Sequence, residues 1–300
     1  MQQSKAPLAK GQLSASTAAA LLAIALIWGY NWVQMKVAVQ YAPPFLFAAL
    51  RNAIGAATMG VILLAMRRPL WPKAMGGTAI AGMLQTGCMY GLVTWALVSG
   101  GAGKTAVLAY TMPFWVLLLA GLLLGERIRG LQWVAIALGL AGLLLILEPH
   151  TAQGGDGFSK IIAGLAGLIW GVGVIVAKRI QTAHPTDLIT FTTWQLIFGA
   201  LLLGGVALTM PLGPVVWSWP FVGALLYSSI PGTAIAWLLW LYVLGRVPAG
   251  LAALGSLLNP AFGVLFAGLQ LGERPSGLEL GGMGLIGGAL LLISIATQRR

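Results

Sequence analysis

The chain has 300 residues, of which 59% are hydrophobic and only 8% charged, with a net charge of +11 and a mean hydropathy of +0.91. A soluble domain carries about 25% charged residues, so too few remain here to cover a water-facing surface. The apolar residues instead fall into runs of about 18–25, enough for the roughly 20 that a membrane-spanning helix requires. A β-barrel would show short alternating segments and is excluded. The basic residues stand mostly at the ends of apolar runs, so topology accounts for the positive charge and no nucleic-acid partner is expected.

Residues 1–16 read as a polar N-terminal tail on the cytoplasmic side. Ten spans follow, at 17–38, 43–66, 74–98, 102–124, 130–147, 160–181, 186–209, 220–244, 249–271 and 277–297. Pro43, Pro44, Pro69, Pro72, Pro185, Pro211 and Pro214 punctuate the short connections. The longest loop, 150–159, is Gly-rich and divides the chain into a first five-helix unit, 17–150, and a second, 151–300. Lys5 and Lys10 ahead of an apolar run imitate a signal peptide. That run continues through Trp28 and Trp32 without a small-residue cleavage site, and Leu26-Ile-Trp-Gly29 is echoed by Leu168-Ile-Trp-Gly171 in mid-chain, so it is kept as a span. The lone cysteine, Cys88, rules out an intramolecular disulfide and is expected to be a small buried packing residue.

The division into two units rests on a repeat. Leu122-Leu-Leu-Gly125-Glu126-Arg127-Ile-Arg-Gly130 recurs as Leu269-Gln-Leu-Gly272-Glu273-Arg274-Pro-Ser-Gly277, identical at six of nine positions and displaced by 147 residues. In each copy a proline, Pro113 or Pro260, stands 12 residues before the first glycine. Internal repeats of this kind define the structural unit.

Orientation follows from the basic residues. With the N-terminus in the cytoplasm, Lys5, Lys10, Arg67, Arg68, Lys73, Arg127, Arg129, Lys178, Arg179, Arg246, Arg299 and Arg300 lie inside. Only Lys36, Lys104, Lys160 and Arg274 lie outside, so both termini are expected in the cytoplasm. Five spans per unit is an odd number, and the second unit therefore enters from the opposite face. The fold expected is an all-α integral membrane protein, ten transmembrane helices arranged as two inverted five-helix repeats. Such architectures hold substrate near the midplane between the repeats.

The span centres show what could line that midplane. Spans 1 and 6 bring Trp28, Asn31 and Trp170; span 3 brings Gln85 and Tyr90, with Trp95 nearer its outer end. Spans 4 and 9 bring Tyr110, Pro113, Asn259 and Pro260, and span 8 brings Tyr227, Ser228 and Trp237. Spans 5 and 10 are almost purely aliphatic and read as scaffold. Trp28 and Trp170 lie too deep for an interfacial belt, leaving helix packing or substrate contact. The two prolines kink their spans, either as simple shape or as hinges of a cavity wall. Asn259 either satisfies backbone freed at that kink or faces the cavity.

Charges within the membrane are costly and functional by default. Arg51 is the one well inside a span, and Lys104 lies near the outer end of span 4. Each either snorkels, pairs with Glu148, or attracts a substrate carboxylate. No Asp, Glu or His lies near a span centre, so a carboxylate proton relay has no candidate. No metal-ligand spacing, phosphate loop or carboxylate pair supports an enzyme, and no cofactor or metal is expected. The spacings Gly167-xxx-Gly171, Gly277-xxx-Gly281 and Gly284-xxx-Gly288 allow close helix packing, expected within one chain, so that the protein is a monomer.

Two halves that each close with a proline-bearing span, Leu-x-Leu-Gly-Glu-Arg and a Gly-rich last span resemble the EamA family of the drug/metabolite transporter superfamily. The Trp-rich spans and Trp-Gly pairs look like its YddG-type branch, the aromatic and neutral amino acid exporters. The resemblance implies a multi-pass protein of the bacterial inner membrane that exports such amino acids, or related small metabolites, by alternating access. It also implies that Trp28, Tyr90, Trp95, Trp170 and Trp237 stack on the substrate, with Arg51 or Lys104 near its carboxylate. The alternative implied is a broad drug or cation exporter of the same fold. The absence of an acid from span 1 departs from the small multidrug members.

Overall fold

The computed structural model describes residues 14–124, 128, 130–147, 155–210, 213–244, 246 and 258–298. Ten helical runs and no strand occur among them: α1 (Ala15–Ala38), α2 (Pro44–Ala65), α3 (Met75–Ser99), α4 (Ala102–Leu123), α5 (Leu131–Leu147), α6 (Gly155–Ala183), α7 (Leu188–Thr209), α8 (Trp219–Val243), α9 (Leu258–Leu271) and α10 (Gly277–Gln298). Seven contain a stretch long and apolar enough to cross a membrane, and α5, α9 and the Gly277–Ile293 stretch of α10 are shorter apolar segments. The chain is an all-α multi-pass membrane protein.

Local chemistry sets the helix ends. Ser14 Oγ accepts the Thr17 amide, Asp187 Oδ1 accepts the Ile189 and Thr190 amides, and Ser218 Oγ accepts that of Phe221, so α1, α7 and α8 each begin on a side-chain cap. Ser276 and Glu279 exchange side-chain and backbone bonds of 3.1 and 2.9 Å, a capping box at the start of α10. Glu273, from the second copy of the repeated motif, reaches across the molecule to cap α4. Its carboxylate accepts the Ala102 amide at 2.5 Å and the Gly103 amide at 3.0 Å. The motif is therefore a strut between the two halves, with Gly272 at φ +68° closing the helix before it. Gly125, Glu126 and Arg127 of the first copy lie outside the described residues, as do Glu148 and residues 150–154 of the expected loop, whose remainder, 155–159, is already part of α6.

The helices pair by exchange. α1 packs on α8 and α9 as α6 packs on α3 and α4, and α2 meets α8 as α7 meets α3. The self-corresponding pairs, α2 with α7 and α5 with α10, pack along their lengths. Between α5 and α10 the backbones touch: a methyl group at Gly142 would lie 2.6 Å from the Gly282 carbonyl, and one at Gly282 would lie 2.7 Å from that of Gly142. Such close approach supplies the contact energy that the hydrophobic effect cannot provide between helices in lipid.

Two interruptions were not foreseen from composition. Met83–Cys88 within α3 and Ile230–Ile235 within α8 are π-helical turns, displaced by the same 147 residues as the repeated motif. Each inserts an extra residue per turn and frees backbone groups. In both, a threonine of the bulge meets a glycine of a facing helix, Thr86 on Gly199 and Thr233 on Gly55. Helix α4 is broken at Tyr110–Thr111, just before Pro113, which sits in the first turn of its second half, Met112–Leu124. The helix-interior kink expected at Pro113 is thus a full break one turn earlier. Pro260 is the third residue of α9 as described, Leu258–Leu271.

Two packing expectations are corrected. Cys88 is exposed, because it closes the π turn on the face pointing away from the bundle. Gly167 and Gly171 do pack within the chain, against α4, but Gly277, Gly281, Gly284 and Gly288 meet nothing within 4 Å. The close face of α10 is the one bearing Gly282. Trp71, Trp217 and Trp219 are exposed at helix ends, where aromatic belts form.

Candidate functional site

A cavity of about 350 Å³ lies between the halves, walled by Trp28, Asn31, Trp32, Met35, Gln85, Met89, Tyr90, Tyr110, Met112, Trp170, Val174, Trp237, Trp240 and Asn259. These residues come from α1, α3, α4, α6, α8 and α9. On α1 they stand at i, i+3, i+4 and i+7, one face of a helix. Trp170 with Val174, and Trp237 with Trp240, repeat that spacing on α6 and α8. No residue of α5 or α10 reaches the cavity.

The aromatic wall is built from edge-to-face pairs and one tilted pair, Trp28 with Trp240. Trp28 lies 6.1 Å from Trp237 and 6.0 Å from Trp240, while Tyr110 lies 6.3 Å from Trp32 and 5.5 Å from Trp170. Such pairs contribute about 0.5–1.5 kcal/mol each beyond burial and hold the rings in set orientations. Trp28 is fixed further, its indole Nε1–H donating to the Gly232 carbonyl at 3.0 Å. That carbonyl belongs to the π turn of α8, so the backbone irregularity positions a wall residue. In α3 the other π turn carries Gln85, whose Oε1 accepts from Gln195 Nε2 at 2.7 Å.

Among the described residues the wall contains no Asp, Glu, Lys, Arg or His. Its polar groups are two tyrosine hydroxyls, the indoles and three amides. Asn259 Nδ2 donates to Tyr110 Oη at 2.9 Å, which ties α9 to the break in α4. The side-chain oxygens of Asn31 and Asn259 are buried and have no partner among the described residues.

Eight residues singled out from sequence meet here: Trp28, Asn31, Gln85, Tyr90, Tyr110, Trp170, Trp237 and Asn259. Five do not. Lys104 Nζ lies 3.0 Å from Glu279 Oε1, an oxygen shared with Lys160 Nζ at 3.1 Å, so it belongs to a buried ion cluster joining α4, α6 and α10. Trp95 is 37% exposed and packs on Phe45 and Phe158 at the periphery. Tyr227 packs edge-on against Tyr30, and its hydroxyl donates to the Ile27 carbonyl. Arg51 and Ser228 are fully buried but lie behind the wall, Arg51 against the outer face of Tyr90. Sequence reading missed Trp32, Met35, Met89, Met112, Val174 and Trp240; for Trp32, Met35 and Trp240 the helical spacing from Trp28 and Trp237 was the available signal.

Long apolar helices around an aromatic chamber, in two halves that exchange packing partners, define a duplicated helical membrane protein. The chain belongs to the EamA-like transporter family, whose model matches residues 15–148 and 158–295. It is 30% identical over 277 residues to the transporter YoaV of Bacillus subtilis (strain 168), covering 91% of this chain and 92% of that one. It is 27% identical to the inner membrane transporter YedA of Escherichia coli (strain K12), covering 92% and 90%. A protein of the same strain named "Probable amino-acid metabolite efflux pump" is 27% identical over 279 residues, covering 88% and 90%. One solved crystal structure matches the fold with a TM-score of 0.64 at 21% identity, covering 96% of this chain and 99% of that one.

Proposed function

We propose that this transporter exports aromatic and other neutral amino acids, or closely related metabolites, across a bacterial inner membrane. The observation that carries the reading is the chamber itself, five tryptophans and two tyrosines around about 350 Å³ with no charged wall residue among those described. That volume is at the small end of the roughly 300–1,000 Å³ typical of small-molecule sites, which suits an amino acid better than a bulky drug. Aromatic rings offer stacking to an aromatic side chain, and the unpartnered Asn31 and Asn259 oxygens offer acceptors for an ammonium group. The name of the related efflux pump points the same way.

In this reading ten spans form two inverted repeats with both termini cytoplasmic, and the chamber opens alternately to each side. The break before Pro113, the matching position of Pro260 and the paired π turns are the points where the helices bend. The same aromatic walls suit a quaternary ammonium ion through cation–π contacts, so a cation exporter is the competing reading. Proteoliposome uptake decides between them. Labelled phenylalanine is expected to enter, with Trp170→Ala slowing it at least tenfold while membrane insertion is unchanged. Uptake of a cationic dye that follows a pH gradient, without phenylalanine movement, would overturn the proposal.

A further inference from the structure

Arg51 is the most completely buried charged side chain in the described protein, with no exposed surface. Its Nε donates to the Ser228 carbonyl at 3.3 Å, an oxygen also used by the Thr233 hydroxyl at 2.9 Å as the π turn of α8 begins. Nη1 and Nη2 are buried and have no partner among the described residues. A guanidinium carries five N–H donors in a planar fork, so four of them face groups that accept nothing. The hydroxyl of Ser228, on the helix that receives Nε, is likewise buried and unpartnered. Among the described residues no carboxylate is bonded to Arg51.

A charge held this way in a low-dielectric interior is costly unless an anion joins it. A planar guanidinium fork is the donor set that a carboxylate matches, through two parallel N–H···O bonds, and Ser228, whose carbonyl receives Nε, carries a further unpartnered hydroxyl donor. What separates this donor set from the chamber is Tyr90. The guanidinium carbon lies 3.8 Å from the centroid of the Tyr90 ring, and the same ring is part of the chamber wall. Tyr90 directly follows the π turn of α3 and its neighbour Met89, while Ser228 lies just ahead of the corresponding turn of α8. Both sides of the Arg51 niche therefore rest on the irregular backbone of α3 and α8.

Building on the export reading above, we propose that Arg51 and Ser228 form a recessed carboxylate subsite closed by Tyr90. The transported molecule would place its aromatic end among the tryptophans and, once Tyr90 changes rotamer, its carboxylate on the Arg51 fork. The substrate class is narrowed to small aromatic carboxylates, zwitterionic amino acids among them, and amines lacking a carboxylate are excluded. Tyr90 and Arg51 act together as a specificity filter.

The test is ligand binding to the full-length protein in nanodiscs, followed by thermal stabilisation, with three probes: phenylalanine, phenylalaninamide and 3-phenylpropionate. The two carboxylates are expected to bind roughly tenfold or more tighter than the amide, the worth of one charge-assisted hydrogen bond. Arg51→Gln should abolish that preference, leave the amide unchanged, and leave the ligand-free melting temperature equal or higher, because an uncompensated buried charge is removed. Ser228→Ala, which alters no charge, should weaken the carboxylates severalfold and not the amide. Equal weakening of all three probes by Arg51→Gln, or a carboxylate preference that survives it, would overturn the subsite. Arg51-dependent binding of 3-phenylpropionate without phenylalanine transport would retain the subsite and reject amino acid export. Phenylalanine transport with an Arg51-independent preference would do the reverse.

Discussion

Removing the Glu273 carboxylate from the start of α4 gives the sharpest measure of how the repeated motif works. In Glu273→Ala the Ala102 and Gly103 amides lose acceptors now at 2.5 and 3.0 Å. An amide left unsatisfied costs about 1–3 kcal/mol. The site is part-buried, so the lower half of that range applies, and the pair together predicts a loss of about 2–4 kcal/mol. Glu273→Gln keeps one acceptor oxygen but removes the charge facing a helix N-terminus, for a loss of about 1 kcal/mol. Gly101 supplies the internal control. A methyl there would lie 2.8 Å from Glu273 Oε2, while the backbone at φ −73° and ψ 148° accepts alanine without strain. Gly101→Ala should therefore destabilise the wild type and be close to neutral in the Glu273→Ala background. Unfolding by SDS titration in mixed micelles measures each corner of the cycle. Additivity within about 0.5 kcal/mol, the behaviour of independent sites, or a Glu273→Ala loss below that, would refute the strut.

Glu279 gives a second prediction. Its Oε1 is shared by Lys104 and Lys160, the latter nearly fully buried, so Glu279→Gln is expected to destabilise by about 3–5 kcal/mol, as when a buried pair loses one partner. Lys160→Met in that background should recover part of the loss in the same unfolding assay. The glycines of the aliphatic scaffold provide a third. Gly142→Ala drives a methyl into the Gly282 carbonyl and should cost about 1–3 kcal/mol, whereas Gly281→Ala, with nothing within 4 Å, should be neutral or stabilise by up to about 1 kcal/mol.

Much of the architecture was legible along the chain. The apolar runs, the 147-residue duplication and the spacing of Trp28, Asn31 and Trp170 follow from local pattern, because helix length and face are properties of consecutive residues. The six helices that wall the chamber are those whose centres carry aromatic and amide groups. The role of each charge was not legible. Lys104 and Arg51 look alike in sequence, each a lone cation in an apolar run. Lys104 is paired because Glu279, 175 positions away at the head of another helix, is brought within 3.0 Å. Arg51 meets a ring and a carbonyl among the described residues. Helices that are apolar all round carry no signal for which face meets protein and which meets lipid, so Cys88 and the α10 glycines were misplaced.

The sequence by itself determined the class of solvent, the lengths of the helices and the fact of duplication, because each depends on composition and on distance along the chain. Tertiary structure alone decided which cations are neutralised, where α3 and α8 take their π turns, and that Glu273 braces α4 across 171 residues. The physical reason is that hydrogen bonds and ion pairs in a low-dielectric interior are set by which backbone ends and side chains packing brings within about 3 Å, and no pattern of neighbouring residues encodes that meeting.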